Sequence, residues 1–330
     1  MTKITFKLLA LAMLGLTLAA SGAQGRGRME RMVFATYAQD RAELEQALVL
    51  ARSLRSFGGS MSNAPFWLYL PEDSPGLADG AEAQIGSLAI EVHTSPTPAS
   101  AAGFFYSGKT FAAGNAEGAA AGRFKVLAWL DPDNVIVREP EAFNLRPGIS
   151  LGCRPVMMKL IGSDYSRSPD GFWDRIYRLS SVGPDRIFPV TTAVDRQQIR
   201  AYFNAGLLVV WPERGILRRW TELYRRLYAD PFLLEECGRE VRKRIFLHQA
   251  SLAAAVLATL TREEAADLGD RYNFPVFMPE GYSAAGILET PDQAVTIRHD
   301  GMMFRDPRWR DKLPKGAITE WLSGQFPIAE

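Results

Sequence analysis

The run Phe124-Lys125-Val126-Leu127-Ala128-Trp129-Leu130 stops abruptly at Asp131-Pro132-Asp133-Asn134, and no other stretch of the chain restricts its fold as much. A short apolar run bounded by turn residues predicts a strand buried on both faces, the kind that occupies the middle of a parallel sheet. Ligands of open α/β sheets gather outside the carboxyl ends of such strands, so Asp131 and Asp133 are expected to project into a crevice. Mg²⁺ and Mn²⁺ prefer oxygen donors and commonly take one or two carboxylates, keeping other positions for water and phosphate. An Asp-x-Asp pair suits that demand, and the ion would neutralise charge on a departing diphosphate. The same letters also spell a plain β-turn, because Pro fixes φ and Asp or Asn bonds back to the local backbone.

With 330 residues, 47% of them hydrophobic, the chain can bury a large core and suits one big α/β domain. A net charge of +1 gives no global attraction to nucleic acid. The 28 Gly and 20 Pro follow no period, which argues against collagen-like or disordered material.

Residues 1–23 read as a secretory signal. Lys3 and Lys7 precede an apolar segment from Leu8 to Ala20, and Ser21-Gly22-Ala23 supplies a small-residue cleavage site. The segment falls short of the roughly 20 apolar residues that a membrane span needs, so an uncleaved anchor is the second choice. Arg26, Arg28 and Arg31 just beyond it work against export. The expected location is periplasmic or secreted, with a membrane-anchored form as the alternative. An oxidising compartment would permit a disulfide between Cys153 and Cys237, and two separate core thiols fit the sequence equally well.

The domain is expected over residues 31–310, followed by a tail over 311–330. Residues 31–37 read as a first strand, and Leu44, Ala47, Leu48, Ala51 and Leu54 recur at helical spacing before the Gly58-Gly59 stop. Further strands are expected at 66–70 and 88–92. This alternation predicts a mostly parallel sheet with helices on both faces. Thr36 and Tyr37, ending the first strand, fall on the ligand edge.

Gly103-Phe104-Phe105-Tyr106-Ser107-Gly108-Lys109-Thr110 matches the phosphate-loop pattern letter for letter. Its context argues against that reading, since a Pro-containing loop precedes it and three aromatics occupy the would-be cradle. Lys109, on a helix expected over 107–121, either faces an anionic ligand or is a solvated lysine.

Short strands are expected at 135–137 and 149–153, then a long irregular binding loop over 162–190. Asn204 stands just before a further buried strand, where its amide could bond sugar hydroxyls or simply start the strand. A helix over 215–228 exposes Arg218, Arg219, Arg225 and Arg226. With Arg239, Arg242, Lys243 and Arg244 these make a basic surface, read as a solvated face, with peripheral contact to an anionic membrane or glycan as the alternative. His248-Gln249 is expected to open a helix whose N-terminus favours polar groups. His299 ends a short strand and is a candidate third metal ligand, its alternative being polar surface.

In this order the blocks resemble the nucleotide-diphospho-sugar glycosyltransferases of the type A fold, in particular the glycogenin-like and lipopolysaccharide galactosyltransferase-like group. The likeness covers about Met32 to Gly301. Leu130-Asp131-Pro132-Asp133 is similar to that group's Asp-x-Asp motif, and Phe203-Asn204-Ala205-Gly206 to its Phe-Asn-[Ser/Ala]-Gly block. His248-Gln249 sits where the group has Asp-Gln, and Arg271-Tyr272-Asn273 resembles Arg-Trp-Asn. The closing His-x-x-Gly-x-x-Lys-Pro-Trp pattern survives as His299-Asp300-Gly301 and Arg305-Asp306-Pro307-Arg308-Trp309, with altered spacing.

The resemblance implies a Mn²⁺- or Mg²⁺-dependent hexose transfer from a nucleoside-diphosphate sugar to an envelope glycan. Asp131, Asp133 and His299 would hold the ion, Thr36, Tyr37 and Lys109 the nucleotide, and Asn204, Gly206, His248 and Gln249 the sugar. Because activated nucleotide sugars are cytoplasmic and the N-terminus argues for export, the alternative is an exported, non-catalytic glycan-binding protein on the same fold.

Overall fold

A computed structural model describes residues 30–278 and 288–326, so the signal expected over 1–23 lies outside the described residues. The first strands are β1 (Glu30–Tyr37), β2 (Phe66–Pro71), β3 (Ile90–Ser95), β4 (Phe124–Leu130) and β5 (Asn134–Ile136). After them come β6 (Leu151–Pro155), β7 (Pro189–Thr191), β8 (Gln198–Arg200) and β9 (Phe203–Val210). The short β10 (Ala265–Asp267), β11 (Phe274–Pro275) and β12 (Thr296–Arg298) complete the set. Seven of these form the central sheet in the order β10-β6-β9-β4-β1-β2-β3. Within it β9 runs antiparallel to β4 and β6, and the other pairs are parallel. The expected mostly parallel α/β sheet is the observed one.

Both faces of the sheet are covered because its strands are apolar on both sides. The helices include the short α2 (Glu82–Ser87) and α6 (Pro231–Arg239). Val33, Ala35, Trp67, Leu127 and Trp129 face α3 (Ser107–Ala120), α5 (Ile216–Tyr228) and α7 (Val241–Thr259), and all are buried. Phe34, Leu68, Ala128 and Leu130 pack on the other side against Leu44, Leu48 and Leu54 of α1 (Arg41–Phe57). Asp40 caps α1 by accepting from Glu43 N at 2.9 Å. Leu127 is fully buried, and Leu127→Ala would cost about 3 kcal/mol in lost transfer energy and cavity formation.

Several expectations change. The irregular loop over 162–190 contains α4 (Gly171–Leu179), capped by Asp170 and burying Phe172, Trp173, Ile176 and Tyr177. That spacing is helical, but surrounding Ser, Pro and Asp obscure it. His248 and Gln249 do not open a helix. They lie mid-way along α7, which starts at Val241, so no helix N-terminus serves them. The supposed tail contributes α8 (Ala317–Gln325), whose Ile318 and Leu322 pack with Val135, Ile297 and Trp309. Of the two readings left open for the cysteines, the structure has the separate core thiols: Cys153 and Cys237 are both free and buried. Among the described residues no helix is long and apolar enough to cross a membrane.

Candidate functional site

Because β9 is antiparallel to β4, the amino end of one lies beside the carboxyl end of the other. Leu130 pairs with Leu207, and Asp131 N donates to Gly206 O at 2.8 Å. The turn after β4 therefore delivers Asp131 and Asp133 next to Asn204 and Gly206. Asn134 fixes the turn, its Nδ2 donating to Asp131 O at 3.1 Å and Gly206 O at 3.0 Å. A second ladder brings in the chain's far end: β5 pairs antiparallel with β12, setting Arg298 opposite Asn134, and His299 N donates to Asp133 O at 3.0 Å.

The two acids meet two cations. Lys109 Nζ lies 2.8 Å from each oxygen of Asp131. Arg298 donates from Nε to Asp133 Oδ2 at 2.9 Å, from Nη2 to Asp131 Oδ2 at 3.2 Å and from Nη1 to Asn204 Oδ1 at 3.2 Å. Burial opposes the Arg298 charge, and the facing carboxylates more than offset it, raising its pKa. Gly206 makes room for this arrangement. A Cβ there would stand 2.5 Å from Arg298 Nη1 and 2.9 Å from Asp131 Oδ2.

Cavities open on either side of the cluster. One, of about 380 Å³, is bounded by Tyr37, Gln39, Glu43 and Gln46 from the end of β1 and the start of α1, and by Met302 and Arg305 opposite. The other, of about 340 Å³, is bounded by Asn204, Gly206, His248 and Gln249 with the apolar Val156, Met157, Phe246 and Phe277. Tyr106, Lys109, Arg298 and Asp300 line both. Larger hollows, of about 480 and 550 Å³, lie by β6 and β10 and at the amino end of β4. Neither is lined by the acid pair, so chemistry rather than size selects the site.

Eight of the ten residues singled out in the sequence line these two cavities. Thr36 and His299 do not, for a reason of parity: successive side chains of a strand point to opposite faces. Tyr37 faces the cavity and its hydroxyl approaches Gly108, where a Cβ would stand 2.2 Å away; Thr36 is fully buried. Likewise Arg298 faces the acids, while the buried His299 ring packs on Phe304 and Phe326, with Nδ1 accepting from Gly301 N at 3.1 Å. Burial pushes the His299 pKa down to about 3. Sequence reasoning missed Arg298, although it stands three residues before Gly301, the place of the histidine in a His-x-x-Gly pattern.

The remaining groups are tuned by burial. It pushes the Glu43 pKa up to about 7, with Asp40 and Asp131 adding to the rise and the Gln39 N–H, 2.8 Å from Oε2, opposing it. His248 is held neutral by burial and by Lys109 and Arg298. Its Nδ1 lies 2.9 Å from Ile245 O, which assigns the proton to Nδ1 and leaves Nε2 as an acceptor. Gln249 accepts from Ala205 N at 3.3 Å and donates to Tyr202 Oη at 3.4 Å, propping the start of β9.

The phosphate-loop letters serve this site differently. Phe104 is buried in the core, and Lys109, under the Tyr106 ring at 4.9 Å, is turned to Asp131. The basic surface is largely tied up in local contacts: Arg218 meets Glu117, Arg219 meets Glu222, Arg239 meets Glu235 and Glu236, and Lys243 meets Glu236 and Glu240.

The donor set does not fit a resident divalent ion. Among the described residues no group of three or more His, Cys, Asp or Glu is placed to hold a metal. An ion bridging Asp131 and Asp133 would need the space that the Arg298 guanidinium fills, and both Asp131 oxygens already face an ammonium. The remaining oxygen, Asp133 Oδ1, is buried and has no hydrogen-bond partner among the described residues.

The chain is similar to several solved structures. One is the galactosyltransferase LgtC in complex with donor and acceptor sugar analogues, with 15% identity, 91% of this chain and 98% of that one covered, and a TM-score of 0.49. Another is the glycosyltransferase GlyE of Streptococcus pneumoniae, with 12% identity, 92% and 61% covered, and a TM-score of 0.48. A third is core-mannan synthase A of Aspergillus fumigatus in an Mn/GDP form, with 9% identity, 72% of each chain covered, and a TM-score of 0.42. No curated protein matches the chain. The sequence model of the Rhodobacterales glycosyltransferase domain matches residues 34–259, more than half of the chain. On that match the chain belongs to the Rhodobacterales glycosyltransferase family.

Proposed function

We propose that this glycosyltransferase moves a hexose from a nucleoside diphosphate to a glycan of the cell envelope. The observation that carries the reading is the pair of cavities meeting at one charged cluster. The cavity beside β1 has the polar and aromatic lining suited to a nucleoside, and Tyr37 and Glu43 stand on its wall. The cavity beside β9 offers Asn204, Gln249 and the His248 Nε2 acceptor to sugar hydroxyls, with apolar side chains that exclude water. A diphosphate spanning the two would lie along Lys109 and Arg298.

Transfer breaks the bond between the anomeric carbon and the distal phosphate oxygen, whose electron pair leaves with the diphosphate. The acceptor hydroxyl oxygen bonds to that carbon and releases its proton to water. Positive charge grows on the sugar in an oxocarbenium-like transition state, and negative charge on the leaving group, where fixed cations stabilise it. An envelope acceptor fits the apolar segment of the N-terminus acting as an uncleaved anchor, with Arg26, Arg28 and Arg31 favouring the cytoplasmic side on which nucleotide sugars are made.

The test is to incubate the full chain with uridine-, guanosine- and thymidine-diphosphate hexoses and an envelope glycan extract, measuring labelled sugar in the polymer. Incorporation from one donor, abolished in Asp131→Asn, is expected. If no donor is consumed and none binds, the reading is wrong.

A further inference from the structure

We infer that this chain binds its donor diphosphate without a divalent cation, the Arg298 guanidinium and the Lys109 ammonium standing where an ion would. The inference rests on the proposed nucleoside-diphosphate donor and concerns how its charge is met.

Two carboxylates and one divalent ion sum to zero, and so do the Asp131 and Asp133 carboxylates with Lys109 and Arg298. The acids here are already compensated by groups that are part of the chain, at 2.8 to 3.2 Å. Adding a divalent ion would leave two surplus charges in a partly desolvated site, next to a guanidinium and an ammonium that repel it.

Arg298 bridges Asp131 and Asp133 from one side chain and also holds Asn204, so its plane is fixed at three points. A guanidinium carries five N–H donors. Those three bonds leave one N–H on each terminal nitrogen, and Arg298 borders both cavities. Such a fork matches phosphate oxygens, is weakly hydrated and, unlike a bound metal ion, cannot exchange between turnovers.

Gly206 lacks the Cβ that would press on Arg298 Nη1, so β9 admits a guanidinium at this point. Strand parity turns His299 away, and Asp300 and Gly301, at φ 57° and 75°, swing the chain back over the cavity, bringing Arg305 to its wall. Asp40 and Asp300 also border this cavity, and both are engaged as acceptors for backbone N–H groups, of Glu43 and of Met302 and Met303.

The experiment titrates the full chain calorimetrically with uridine, guanosine, thymidine and adenosine diphosphates, in EDTA and again in Mn²⁺ or Mg²⁺. One nucleotide is expected to bind in EDTA, with an affinity that metal changes by less than about threefold. Arg298→His removes the fixed cation and supplies a ligand to the acid pair. It is expected to weaken binding in EDTA by about thirtyfold or more, and Mn²⁺ is expected to recover much of the loss. Thermal unfolding of the variant checks that it folds, and the wild-type comparison stands without it. Binding that requires metal in the wild-type chain overturns the inference and leaves the nucleoside-diphosphate donor intact. Absence of binding under both conditions overturns the inference and the donor class together.

Discussion

Arg298 and Asp133 lie 165 residues apart in the chain and share a 2.9 Å hydrogen bond between Arg298 Nε and Asp133 Oδ2. The bond depends on the pairing of β12 with β5, so a residue near the C-terminal end of the chain completes the site. An Arg on a short strand near the C-terminus thereby meets both acids of a turn in the middle of the chain.

Asp131→Asn is expected to destabilise the fold as well as end transfer. It leaves Lys109, whose side chain is 9% exposed, facing a neutral amide, and Arg298, 18% exposed, with Asp133 as its one remaining carboxylate. Removing one partner from such a cluster costs about 3 kcal/mol, read as a lower urea midpoint at unchanged slope. A variant as stable as the wild type would show that these charges are well solvated.

Gly206→Ala tests the close approach of β9 to the guanidinium. The new methyl must displace Arg298 or Asn204, since the nearest Arg298 nitrogen is 2.5 Å from it. Overpacking of this kind costs about 1–3 kcal/mol, and donor binding should fall more steeply than stability. Binding and stability lost in parallel would mean the residue matters for packing alone.

Glu43 makes stability depend on pH. Its carboxyl has an ordinary value of 4.5 and is raised to about 7 in the fold, so the native chain keeps a proton that the unfolded chain has lost. Stability is therefore greatest below the lower value and falls as pH rises from 4.5 to about 7, by about 2 kcal/mol after allowance for partial exposure. Glu43→Gln should flatten that slope in a series of melts. The protonated form also adds no negative charge beside a diphosphate, so nucleotide binding should weaken through the same window in the wild type.

His248→Ala separates sugar from nucleotide. Its ring packs on Tyr106 at a 4.4 Å centroid distance and presents Nε2 to the cavity by β9. Affinity for the sugar nucleotide should drop about tenfold, one hydrogen bond's worth, with little change for the free nucleotide diphosphate. Equal losses for both would place the sugar elsewhere.

Cys153 and Cys237 are expected to be inert to thiol reagents at pH 8 until the chain unfolds, and reductant should not move the melting temperature. Burial lifts both thiols, that of Cys237 to about 11, so little thiolate exists to react.

The sequence alone determined the sheet and most of the residues around the crevice. Continuous apolar runs such as 124–130 bury both faces wherever they sit, and the ends of parallel strands collect ligands, so Asp131, Asp133 and Tyr37 were legible from local pattern. The helix at Gly171–Leu179 was hidden by turn-rich neighbours, and the start of α7 by charged residues ahead of His248. What tertiary structure decided was facing and pairing. Thr36 against Tyr37, and His299 against Arg298, differ by one step along a strand, and which of each pair meets the crevice depends on a register set by strands distant in sequence. The electrostatic character of the acid pair followed from that choice: it put a guanidinium, rather than an imidazole, across Asp131 and Asp133.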